Sequence, residues 1–106
     1  MVELTAPDTI LVGHPFTVGF RSDTRVAGRI RITAGTEAIS FVLERGDRPP
    51  ESSAAHRVRG KQGTFRVRDW GEHPEGAELV LRFEGAKKWM TVARGDAVAS
   101  GSESGE

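Results

Sequence analysis

The sequence predicts an all-β sandwich, and three features carry that expectation. Apolar residues fall in short runs of period two: Phe16-x-Val18-x-Phe20, Ile30-x-Ile32, Ile39-x-Phe41-x-Leu43, Phe65-x-Val67 and Leu79-x-Leu81-x-Phe83. Side chains alternate faces along a strand, so each run is a ribbon with one apolar and one polar side. Gly or Pro interrupts nearly every window long enough for a 3.6-residue period, so only another ribbon is left to cover the apolar side. The third feature is turn density: 13 Gly and 5 Pro in 106 residues divide the chain into seven to nine short strands. That spacing, about eight to twelve residues, is the pattern of a sandwich or barrel. The competing all-β fold is the five-stranded oligonucleotide-binding barrel, which carries a helix that has no visible counterpart here.

The elements follow in order. Residues 2–6 alternate weakly and stop at Pro7, as an edge strand does. Pro7-Asp8-Thr9 reads as a turn, Ile10-Leu11-Val12 as a short apolar strand, and Gly13-His14-Pro15 as its end. Residues 16–22 are a clear strand, Asp23-Thr24-Arg25 reads as a loop, and Gly28 opens the next strand, to Ala34. Gly35-Thr36 turns into a strand over residues 37–44. Residues 45–53, with Pro49-Pro50, form a loop that no central strand would tolerate. Residues 54–59 and 64–68 read as two strands joined by a hairpin turn at Gly60-Lys61-Gln62-Gly63. Residues 69–76 form the second long loop and residues 77–83 the strongest strand, with Leu81 at its centre in the core. Gly85-Ala86 turns into the last strand, residues 87–93. The domain is expected over residues 1–93, followed by a flexible acidic tail over residues 94–106.

Composition narrows the function classes. With five Phe, two Trp and no Tyr, the core must lean on Val, Ile and Leu. The absence of Cys favours synthesis inside a cell, or a sandwich stable without disulfides. The first residues have neither the basic start nor the apolar stretch of a signal peptide, and no 18 apolar residues run together, so no membrane span is expected. Net charge is zero but unevenly spread: residues 57–68 carry +5 and residues 69–84 carry −4. Arg outnumbers Lys twelve to three, which suits either a GC-rich genome or contact with anions.

The opening stretch, Leu4-Thr-Ala-Pro-Asp-Thr-Ile-Leu-Val-Gly-His-Pro-Phe-Thr-Val-Gly-Phe20, resembles the start of many bacterial and phage immunoglobulin-like domains. The resemblance implies a first strand that breaks at Pro and crosses to the other sheet. The chain then turns at a Gly and enters a Phe-Thr-Val strand. It covers about a fifth of the chain and implies an immunoglobulin-like β-sandwich in the loose sense, with no catalytic residues to carry over. The Cys pair, the Trp of the third strand and the Tyr corner of antibody domains are missing.

Three Arg-x-Arg pairs occur, Arg29-x-Arg31, Arg57-x-Arg59 and Arg66-x-Arg68. With a hairpin at residues 60–63, Arg57, Arg59, Arg66 and Arg68 would line up on adjacent strands as a basic strip for an acidic partner. A solvated face that discourages edge aggregation would look the same. Phe65 should point inward with Val67, and Trp70 should cap one end of the sandwich. Of Trp89 and Met90, one faces in and one out, unless the last strand is buried on both faces. His14, His56 and His73 lack ligand spacing, and Asp69, Glu72 and Glu75 lack the pattern of a Ca²⁺ loop, so no metal or cofactor is expected. No nucleophile elbow or catalytic Cys is present. Arg-Gly-Asp occurs at residues 45–47 and 94–96, as residues common in this chain would produce by chance.

These readings point to a non-catalytic structural or interaction protein. The first expectation is a virion accessory protein of a tailed phage, made in the cytoplasm and attached to a capsid or tail lattice. The alternative is a binding or spacer module of a bacterial surface or secreted protein, an adhesin or carbohydrate-binding domain, although only Trp70 and Trp89 stand out as sugar-stacking platforms, which argues against the carbohydrate version. A protein partner is expected, self-association is left open, and zero net charge argues against nucleic acid.

Overall fold

The computed structural model describes residues 1–46 and 48–94. These form nine strands and no helix. The strands are β1 (Val2–Thr5), β2 (Thr9–Leu11), β3 (Phe16–Ala34), β4 (Glu37–Ala38), β5 (Phe41–Glu44), β6 (Ser52–Ser53), β7 (His56–Arg68), β8 (Glu78–Phe83) and β9 (Ala86–Ala93). Two sheets share β3. Its residues 16–30 pair with β7 and, on the other edge, residues 19–22 pair with β1, and β5 and β6 extend that sheet beyond β7. Its last residues pair with β8 and β4, and β9 and β2 extend the second sheet. All pairs are antiparallel except β2 with β9.

The chain changes sheet five times, between β1 and β2, between β2 and β3, inside β3, between β4 and β5 and between β7 and β8, and three of these changes have a local cause. Pro7 stands between β1 and β2, so the first strand runs in one sheet and the next in the other. Residues 37–44, expected as one strand, split at Ile39-Ser40: β4 stays on the second sheet while β5 joins the first. The third change happens inside β3. Nineteen residues at about 3.3 Å each would reach ~60 Å if straight, whereas the molecule's longest extent is 50 Å. The strand therefore bends, and the register between β3 and β7 jumps between Arg21 and Val26.

That jump corrects two expectations. Asp23-Thr24-Arg25 is not a loop between strands but part of a bulge within β3, which does not begin anew at Gly28. Gly60–Gly63 is not a hairpin turn, because β7 runs unbroken from His56 to Arg68 beside β3. Turn-forming residues were present for a different reason. Gly60 has φ +128°, which a side chain resists and a strand facing a bulge requires. A Cβ at Gly63 would lie 2.7 Å from the Phe65 ring and 2.9 Å from that of Phe20, so Gly there leaves room for their stack.

Between the sheets lies one core. Ile30, Ile32, Phe41, Val67, Leu79, Leu81, Met90 and Val92 are almost fully buried. The ring of Phe20 in one sheet meets Phe83 in the other with centroids 4.8 Å apart. Trp70 caps one end of the core, set edge-on to Phe16 at 5.7 Å, its indole N–H donating to the His14 carbonyl at 2.9 Å. The buried His56 ring hydrogen-bonds the Phe41 carbonyl at 2.8 Å. Leu81 sits in the core as expected, and Phe65 faces inward but remains half-buried at the rim. The last eleven residues of the expected tail beyond Gly95, Gly95 itself and Asp47 lie outside the described residues, so both Arg-Gly-Asp tripeptides are only partly within them.

Candidate basic docking face

The four arginines expected as one strip lie on a single strand, not on two adjacent ones. Arg59 and Arg66 are seven residues apart, so about 20 Å of extended chain separates the two pairs. They also differ in company. Glu44 of β5 lies opposite Arg66 and takes the Arg68 Nε at 2.5 Å and the Arg66 Nε at 3.7 Å. Asp69 takes the Arg68 Nη1 at 2.9 Å. The Arg66–Arg68 end is therefore neutralised.

The Arg57–Arg59 end is not neutralised, and it is larger than the sequence indicated. Antiparallel register sets Arg29 of β3 directly opposite Arg57. Two residues on, Arg31 lies opposite Arg82 of β8, which in turn lies opposite Lys87 of β9. Side chains directly opposite on a sheet share a face, so these five cations form two adjoining rows across four strands. Among the described residues, none of the five, nor Arg59, has an ion-pair partner within 4.0 Å. Thr33 fixes one of them: its Oγ1 accepts from the Arg82 Nε at 3.0 Å, leaving the guanidinium terminus available. Arg29, Arg31, Arg82 and Lys87 line a shallow cavity of about 220 Å³ at the β8–β9 turn, where Glu84 is the one acid of the lining.

Trp89 extends this face. It stands opposite Val80, two residues along β9 from Lys87, and is 56% exposed, while Met90 is fully buried. Alternation along β9 thus leaves the indole outside. Trp70 is buried, so of the two tryptophans only Trp89 offers a stacking platform. Lys88 faces away from Lys87 and donates to the Asp8 carboxylate at 2.6 Å, and this bond and charge hold that carboxyl below its ordinary value.

A second hollow, of about 500 Å³, lies beside β7. It is lined by Arg57 and Arg59, by Val58 and Phe65, and by Arg45 and Arg48 beyond β5. The Arg45 Nη2 donates to the Arg57 carbonyl at 2.7 Å. The histidines stay apart: His56 is in the core, His14 in a turn, and the His73 ring stacks on Trp70 at 5.8 Å. Among the described residues no three His, Asp or Glu side chains come together as a metal site.

Sequence reading placed Arg57 and Arg59 in the site and missed Arg31, Arg29, Arg82 and Lys87 as their neighbours. The signal for the first two was the Arg29-x-Arg31 pair; for the last two it was the position of the β8–β9 turn. The turn residues are Glu84 and Gly85, one earlier than Gly85-Ala86, and that shift decides which residues face each other. No family model, curated protein or solved structure matches this chain.

Proposed function

We propose that this chain is a non-catalytic docking module, an immunoglobulin-like sandwich whose basic face seats an acidic protein surface. The observation that carries the reading is the pair of cation rows: Arg57 against Arg29, and Arg31 against Arg82 against Lys87. Like charges directly opposite on a sheet are destabilising, and here no acid of the described chain is paired with them. An anionic partner supplies the missing counter-charge, and exposed Trp89 beside Lys87 supplies the large apolar anchor that interface centres favour together with Arg.

Strand order supports the immunoglobulin-like part of the reading. The sequence β1-β3-β7-β5 in one sheet and β9-β8-β3 in the other matches the A-B-E-D and G-F-C orders of such domains. The crossing of the first strand at Pro7 fits as well. The fused β3 then does the work of two strands. For setting, we propose a virion accessory role, in which a capsid or tail lattice of a tailed phage presents the acidic surface in many copies.

The test is sedimentation with assembled capsid or tail particles encoded by neighbouring genes, alongside binding to a Glu-rich synthetic peptide at several salt concentrations. Arg57→Ser with Arg59→Ser should weaken both and flatten the salt dependence. Arg66→Ser with Arg68→Ser should change little, because Glu44 and Asp69 already neutralise those residues. Equal binding by the two double variants and the parent would overturn the basic-face reading.

A further inference from the structure

Resting on that reading, we propose that the open edge of β7 over residues 57–64 takes up an extended acidic segment of the partner as an additional strand. β7 is the longest strand after β3, yet β5 covers its outer edge only at Arg66, Val67 and Arg68. Over residues 57–64 its other neighbour, β3, fills one side and no strand of the described chain fills the other. Unpaired strand edges are templates for another chain.

Two observations favour such an occupant. The Arg57 carbonyl already accepts a hydrogen bond from Arg45, a side chain reaching in from beyond β5, so the backbone groups of Arg57 face the open edge. Backbone polar groups alternate sides along a strand, which turns those of Arg59 the same way. The 500 Å³ hollow is lined by Arg57 and Arg59 from one face of β7 and by Val58 and Phe65 from the other. A cavity touched by both faces of a strand lies along its edge. Its apolar floor accepts one side chain of the incoming segment, while Arg57, Arg59 and Arg48 flank that segment on either side.

Charge selects the chemistry. A second copy of the chain pairing edge to edge would bring Arg57, Arg59 and Lys61 against the same three residues, and like charges opposite one another repel. Glu or Asp at alternate positions would instead lie beside each arginine. The edge thus admits an acidic strand and rejects its own copy.

The experiment uses the full chain and a short peptide of alternating Glu and Val, together with the same peptide N-methylated at every interior amide. Methylation keeps the charges and removes the donors. In the free protein the Arg57 and Arg59 amides should exchange rapidly with solvent. The unmodified peptide should slow them, and methylation should lower its affinity at least about tenfold, because several backbone hydrogen bonds are lost together. Equal affinity of the two peptides would overturn strand addition while leaving an electrostatic docking face in place. Slow exchange of those amides in the free protein, or no binding of the unmodified peptide, would also overturn it.

Discussion

At the scale of single residues, the most instructive position is Glu84. With Gly85 it makes the two-residue turn between β8 and β9, and both have positive φ, 48° and 84°. Positive φ at both central positions is the type I′ hairpin, which favours Asn-Gly because a larger side chain resists the left-handed conformation. Glu84 therefore holds a conformation to which Asn is better suited. Glu84→Asn should raise stability by about 0.5–1 kcal/mol, a fraction of the 1–2 kcal/mol that left-handed backbone costs an ordinary residue. Urea unfolding would show a higher midpoint at unchanged slope. A midpoint that stays or falls would mean that the Glu84 side chain contributes more than its backbone loses. The two ends of the turn matter beyond stability, since Arg82 and Lys87 are brought face to face by this geometry.

At the scale of elements, charge and stability pull in opposite directions along β3 and β7. Arg29 and Arg57 are directly opposite, and neither has an acid partner among the described residues. Arg29→Glu converts a repulsive pair into an attractive one and should stabilise the fold by about 0.2–1 kcal/mol. The same change places a negative charge in the docking face and should weaken acidic-partner binding. Thermal unfolding and peptide titration of one variant test both signs; loss of stability, or unchanged binding, would refute the pairing as the origin of the face. How much of this was legible in the sequence follows from what period two can encode. It marked which residues face inward in the clear runs, so Leu81 and Val67 lie in the core as their runs require; between Trp89 and Met90 it made no choice, and Met90 is the buried one. It could not mark where a strand ends. Asp23 and Gly28 in β3, and Gly60 and Gly63 in β7, resemble punctuation, but inside continuous strands Asp23 and Gly60 serve a bulge, Gly63 close ring packing, and Gly28 the close approach of the Glu84 side chain. Register is equally invisible locally: a turn placed one residue late would set Trp89, not Lys87, opposite Arg82. The second cation row depends on that single residue.

At the scale of the whole molecule, the shared strand couples the sheets. β3 pairs with β1 and β7 on one sheet and with β8 and β4 on the other, and Phe20 meets Phe83 across the core. Neither sheet can separate without exposing the buried residues of a strand that the other also needs. Unfolding should therefore be one cooperative transition, as is usual for domains of this size. A Trp89→Phe variant makes Trp70 the sole fluorophore, and Trp70 reports the first half of β3 through Phe16. Amide exchange in β8 and β9 reports the second sheet independently. The two probes should return the same unfolding free energy, and a lower value for β8 and β9 would show that the second sheet opens alone. This coupling bears on docking, because the cation rows span both sheets: Arg57 on β7, Arg29 and Arg31 on β3, Arg82 and Lys87 beyond it. If the sheets opened separately, the rows would lose their alignment and an acidic partner would have to restore it on binding. With β3 continuous through both, the backbone positions of the cations would be set before any acidic partner arrived, and the ordering cost of binding would fall on their side chains alone.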